Sequence, residues 1–200
     1  MPTVSADRLM DISKALLQAA GASADEAATI ARYNIGANLV GHDSHGIILI
    51  PTYIDRIKVG HIVPGASWDI VQETTTSTVI DGNWGFGYVV TDRAMRYTID
   101  KAKKQQVAAA TVYRQSHIGR LASYPLMAAR EGMIAMITAD SGRSAKAVAP
   151  FGGAKARLGT NPICVALPGP WLLDMATTTV AAGRVFKAHL NGQPEIPPGW

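Results

Sequence analysis

The 200-residue sequence has one cysteine, three phenylalanines and only 17% charged residues. The lone thiol, Cys164, permits no intramolecular disulfide, and no Cys or His near it supplies a metal-ligand spacing. It sits in the apolar run Ile163-Cys164-Val165-Ala166-Leu167 and is expected as a buried strand residue. No apolar run approaches the ~20 residues that cross a bilayer. The start, Met1 to Asp7, lacks a basic stretch followed by an apolar one, so the expected location is cytoplasmic, away from membranes. His-Glu-x-x-His, Cys-x-x-Cys and Gly-x-Ser-x-Gly are all missing, which argues against zinc enzymes and serine hydrolases and leaves no expected metal. The net charge of +4 is scattered. Its densest run, Lys101-Ala102-Lys103-Lys104, falls where a helix is expected to end and cations complement the dipole. No aromatics interleave with it, so nucleic acid is not an expected partner.

An apolar fraction of 48% over this length can build a substantial core in one domain or one and a half. The first third reads as helical. Ser5 can cap a helix carrying Leu9, Ile12, Leu16 and Leu17, stopped by Gly21. Ser23-Ala24-Asp25-Glu26 is a capping box for a second helix, running to about Val40 with Gly41 behind it. A third is expected from Ile47 to Lys58. From about Ser67 the pattern changes: Trp68–Gln72 and Ser77–Ile80 read as a hairpin and Asp81-Gly82 as a turn. Gly85-Phe86-Gly87 leads into a helix. Val107–Val112, Met133–Thr138, Ile163–Leu167 and Trp171–Leu173 read as strands, the first of them buried, with a helix at Tyr124–Glu131. The expected division is a helical segment at 1–66 and an α/β (α+β) layer structure at 67–200.

The chemistry-bearing residues cluster at glycines. Gly41-His42-Asp43-Ser44-His45-Gly46 joins a hydroxyl and an imidazole to backbone that a ligand can approach. Ser116-His117-Ile118-Gly119 is a second His-Gly site, and Leu158-Gly159-Thr160-Asn161-Pro162 a polar cluster. Each has a plain alternative: a histidine holding a loop, a turn before a strand, or Asp174 capping the next segment. Gly85-Phe86-Gly87 fails as a dinucleotide fingerprint, because Val90 stands where the third glycine belongs. Gly152 to Gly159 lacks the Gly-Lys-Ser/Thr ending of a P-loop.

Taken in order, these motifs carry a resemblance. The series is Gly41 to Gly46 with Ile50-Pro51-Thr52-Tyr53, then Asp81-Gly82 and Gly85-Phe86-Gly87. Ser116-His117-Ile118-Gly119-Arg120, Val148-Ala149-Pro150-Phe151-Gly152-Gly153, Gly159-Thr160-Asn161-Pro162 and Leu173-Asp174-Met175-Ala176-Thr177 complete it. In this order and spacing the chain resembles the malate/L-lactate/ureidoglycolate dehydrogenase family, in its hydroxycarboxylate dehydrogenase branch. The resemblance implies a non-Rossmann, largely antiparallel NAD(P)-binding sheet flanked by helices, a homodimer, and hydride transfer between NAD or NADP and a 2-oxo/2-hydroxy acid. It implies His45 as acid/base, Ser44 orienting the substrate and His117 in the same pocket, the two histidines being exchangeable in role. Ser141, Thr160, Asn161 and an Asp174-Met175-Ala176 turn map to cofactor-binding segments. Many members carry an arginine four residues after the histidine, where this chain has Leu49, and Arg120 is the expected substitute. Members also continue well past Pro197-Pro198-Gly199, so the chain is expected to be C-terminally truncated. Two alternatives stand beside the enzyme: a non-catalytic nucleotide-binding or dimerisation module, and a hydrolytic Ser44/His45 pair. The latter is disfavoured because adjacent side chains rarely meet within hydrogen-bond reach.

Overall fold

Side-chain caps set the first two helices. Ser5 accepts the Arg8 N–H at the start of α1 (Ala6–Ala19). At α2 (Ala24–Leu39) the capping box is complete: Ser23 Oγ accepts from the Glu26 N–H while the Glu26 carboxylate accepts from the Ser23 N–H. That carboxylate also accepts from the Gly65 N–H at 2.8 Å, tying the helix start to the loop after α3. Gly41, at φ 76°, ends α2 as expected. Two single 3-10 turns, Asp43–His45 and Ile47–Leu49, then lead into α3 (Ile50–Lys58), with Pro51 in its first turn.

The structure, a computed structural model, describes residues 3–140, 143, 146–180, 185, 188–189, 192–193 and 195–197. It divides into two compact units, Met1–Tyr124 and Pro125–Trp200. In the first, β1 (Asp69–Glu73) and β2 (Ser77–Gly85) are antiparallel. Helix α4 (Gly87–Gln105) then crosses over to β3 (Ala109–Gln115), which lies parallel to β2. Asp81-Gly82 is not a turn. Asp81 is paired with both Asp69 and Tyr113 inside β2, and the reversal comes earlier, where the Thr74 N–H bonds the Ser77 carbonyl. An Asp-Gly pair can sit mid-strand here because Arg114 from β3 neutralises the buried Asp81 carboxylate. The chain bends just after it, at Asn83 (φ 45°) and Trp84 (φ 61°). Strand β3 starts two residues later than expected and exposes Ala109 to Thr111 rather than burying them. Lys101 is not a solvated helix-end cation either: its ammonium bonds Glu73, the Thr74 carbonyl and Thr78, stapling α4 to the hairpin.

One apolar cluster holds the first unit together: Leu17 and Ile30 from α1 and α2, Ile50 and Tyr53 from α3, and Phe86 and Tyr88 at the start of α4. Each such side chain contributes about 1.5–3 kcal/mol on burial. The expected division at 66/67 therefore falls inside a unit in which helices and hairpin share a core.

In the second unit, α5 (Pro125–Arg130) packs on β4 (Ala135–Thr138) and β5 (Pro162–Ala166), and β6 (Leu172–Ala176) completes an antiparallel sheet in the order β4-β5-β6. Cys164, Ala166 and Ala128 are buried, so Cys164 is the strand residue expected. The register aligns Met136, Val165 and Leu173 in one row of the opposite face, and Thr138, Ile163 and Met175 in the next. That face is open, with Met136 69% exposed. With β2–β3 the single parallel pairing, the sheets of the described residues are largely antiparallel, as the resemblance implied.

Candidate functional site

Asn38, in the last turn of α2, shapes the hexapeptide. Its Nδ2 donates to Asp43 at 2.6 Å and its Oδ1 accepts the Ile47 N–H at 2.9 Å, so one side chain brackets the segment between them. A Cβ at Gly46 would stand 2.2 Å from that same Oδ1, which is why a glycine follows the histidine. Within the bracket, Ser44 Oγ meets His45 Nδ1 at 3.0 Å. The expectation that these neighbours would not meet is therefore wrong: the tight 3-10 turn brings them together. Ser44 is exposed and His45 half-buried.

The His117 loop is held by the glycines that imitate a nucleotide fingerprint. Ser116 Oγ accepts the Gly87 N–H at 2.8 Å, and a Cβ at Gly87 would lie 2.2 Å from the Ser116 carbonyl. That helix N-terminus is thus closed by a serine rather than offered to a phosphate. Gly119 has φ 72°, and a Cβ there would enter the Tyr88 ring. Gly87 and Gly119 together let the loop lie against α4.

These constraints bring the two histidines together, with ring centroids 5.6 Å apart. Behind them runs a buried polar circuit. His117 Nδ1 meets Tyr53 Oη at 2.8 Å, Tyr53 meets Tyr88 at 2.9 Å, and Asn34 Nδ2 donates to Tyr88 at 2.8 Å and to the His45 carbonyl at 3.0 Å. A carbonyl only accepts, so the Asn34 amide orientation is fixed. Tyr88 receives that proton. Among the described residues the acceptor left to its own hydroxyl is Tyr53, and Tyr53 in turn donates to His117 Nδ1. The neutral His117 ring therefore carries its proton on Nε2. Burial first, then the fields of His45 and Arg56, push the His117 pKa down to about 4. Burial pushes Tyr88 up to about 12 and Tyr53 well above the usual phenol range. At neutral pH the circuit is uncharged.

Ser44, His45 and His117 are thus together. Arg120 is half-buried three residues beyond His117, and its side chain bonds neither ring. Ser141 lies outside the described residues. The remaining cofactor candidates gather at one end of the second unit's sheet. Asn161 precedes β5, its amide donating to the Gly159 carbonyl at 3.0 Å and accepting from Thr177. Asp174, Met175 and Ala176 are not a turn but the end of β6, opposite Cys164, Ile163 and Pro162. Strand alternation sends Asp174 and Met175 to opposite faces. Thr160, Asp174 and Met175 are exposed there, while Asn161 is engaged by the protein and fits a loop-positioning task. Asn34, Tyr88 and Arg56 were not among the expected site residues, and Tyr53 appeared only inside a motif. A polar aromatic at helical spacing reads as core, which Tyr53 and Tyr88 also are.

The sequence model of the malate/L-lactate dehydrogenase family matches residues 4–200. The chain is 37% identical to hydroxycarboxylate dehydrogenase B of Escherichia coli O157:H7 over 198 residues, covering 97% of this chain and 54% of that protein. It is 38% identical to malate dehydrogenase of Pyrococcus abyssi over 197 residues, covering 97% and 53%. The solved malate dehydrogenase of Entamoeba histolytica superposes with a TM-score of 0.93 at 35% identity, over 100% of this chain and 55% of that one. The chain spans about half the length of the curated relatives it matches. With its length matched almost throughout and its fold shared, the chain belongs to the malate/L-lactate dehydrogenase family.

Proposed function

We propose that this chain carries the acid/base site of an NAD(P)-dependent 2-hydroxycarboxylate dehydrogenase, with His45 as the proton donor and acceptor. The observation that carries the reading is the unequal pair of imidazoles. His117 is held neutral, with Tyr53 donating to its Nδ1. A ring with a pKa near 4 has no proton to give a carbonyl oxygen at neutral pH, which leaves the task to His45. Ser44 fixes the His45 ring through Nδ1. His117, through Nε2–H, suits a hydrogen bond to the same substrate oxygen. A nicotinamide nucleotide, when bound, supplies or takes the hydride. Thr160, Asp174, Met175 and Ala176 are the residues assigned to holding it, with Asn161 as a support and Ser141 retained from the resemblance. A homodimer in the cytoplasm remains part of the proposal. The family's printed activities on malate, sulfolactate and hydroxycarboxylates support a 2-hydroxy acid substrate.

The test is oxidation of NADH and of NADPH by the purified chain with pyruvate, oxaloacetate or phenylpyruvate. Turnover names the cofactor and substrate class together. Nucleotide binding without turnover favours the non-catalytic module instead. The Ser44–His45 distance lends a hydrolytic pair one specific support; an acylating probe is expected to leave Ser44 unlabelled, and labelling there would revive that reading.

A further inference from the structure

A 2-oxo acid brings a carboxylate, and the site has to meet it with a cation. Leu49, four residues past His45, cannot, because it packs against the apolar core. Arg56 lies one helical turn beyond Tyr53 on α3, on the face that sends the Tyr53 hydroxyl to His117. It is half-buried, and among the described residues its side chain forms no ion pair or hydrogen bond. Asp55, the nearest acidic neighbour in sequence, is taken by Lys58 at 3.2 Å. The contrast within this unit is clear: Arg32, Arg96 and Arg114 each have a carboxylate partner. The positive field of Arg56 reaches both Tyr53 and His117, where it opposes protonation of the imidazole. A half-buried guanidinium with no counter-charge, beside a neutral imidazole, is an arrangement that an anionic ligand completes.

We propose that Arg56, rather than Arg120, is the substrate-binding cation that takes the carboxylate of the 2-oxo acid. The assignment rests on the 2-hydroxy acid reading above. It also accounts for Leu49: with the charge supplied from the next turns of α3, the position after the histidine is released to packing.

The test titrates oxamate, a 2-oxo acid analogue, into the 200-residue chain and follows the imidazole C–H resonances of His45 and His117. It compares wild type with Arg56→Gln, Arg56→Lys and Arg120→Gln, each shown to melt like wild type. Oxamate is expected to shift both rings. Arg56→Gln is expected to weaken its affinity roughly ten- to a hundredfold, the worth of a charge-assisted hydrogen bond. Arg56→Lys should recover part of the loss, and Arg120→Gln should stay within about twofold. Unchanged affinity in Arg56→Gln, or a loss confined to Arg120→Gln, overturns the assignment while leaving the 2-oxo acid reading standing. Absence of any shift in the wild-type rings overturns that reading and the assignment with it.

Discussion

Two histidines 5.6 Å apart between centroids serve different ends because their hydrogen bonds differ. His45 is braced by an exposed serine, His117 by a buried phenol. The depressed pKa of His117 has a consequence for stability. Between pH 6.5 and about 4 the unfolded ring binds a proton that the folded ring refuses, so stability rises with pH across this window. Wild type is expected to lose stability on acidification through that range, and His117→Gln to show a flatter dependence in denaturant melts recorded across it. An identical slope in the variant would remove burial of a neutral imidazole from the account. The histidines were legible in the sequence because each is flanked by glycines. Asn34, Tyr53 and Tyr88 were not, since a tyrosine inside an apolar helix face looks the same whether its hydroxyl meets water or an imidazole.

Among the elements, the helix caps were the most readable features, because a cap is settled locally between one side chain and one backbone amide. Ser23→Ala removes the Glu26 amide's acceptor and is expected to lower stability by about 1 kcal/mol in urea melts. Gly87 is more demanding. The Ser116 carbonyl occupies the place of its Cβ, so Gly87→Ala should cost about 1–3 kcal/mol and displace the His117 loop, visible as a change in the His117 imidazole shift. The Asp81-Gly82 misreading has a physical source. A turn-forming dipeptide was judged by its own propensity, while the choice was made by Arg114, 33 residues away along the chain. The hydrogen bond from that guanidinium holds the Asp81 carboxyl down to about 2. The stability this pair adds is present above the ordinary carboxylate pKa of 3.8 and is lost as pH falls from there to about 2. Asp81→Asn is expected to abolish that part of the acid transition.

For the whole molecule, the register of β4, β5 and β6 leaves Met136, Ile163, Leu173 and Met175 open on one face. Contiguous apolar surface of this kind is a liability for a chain in water. Sedimentation should detect concentration-dependent association, reduced by Met136→Lys; equal association in the variant would move the contact elsewhere. The sequence could indicate these strands from their apolar runs, but not which face would be covered, because alternation is weak where both faces are apolar. The same holds for β3, whose apolar start suggested burial that the described residues do not provide.

The central claim is that His45 moves the proton. Its most direct test compares the rate of 2-oxo acid reduction in His45→Ala and His117→Ala with that of wild type, alongside nucleotide affinity. The account predicts at least a ~100-fold fall in turnover for His45→Ala with nucleotide affinity kept, and a smaller fall for His117→Ala. Turnover that survives His45→Ala and vanishes in His117→Ala would contradict it.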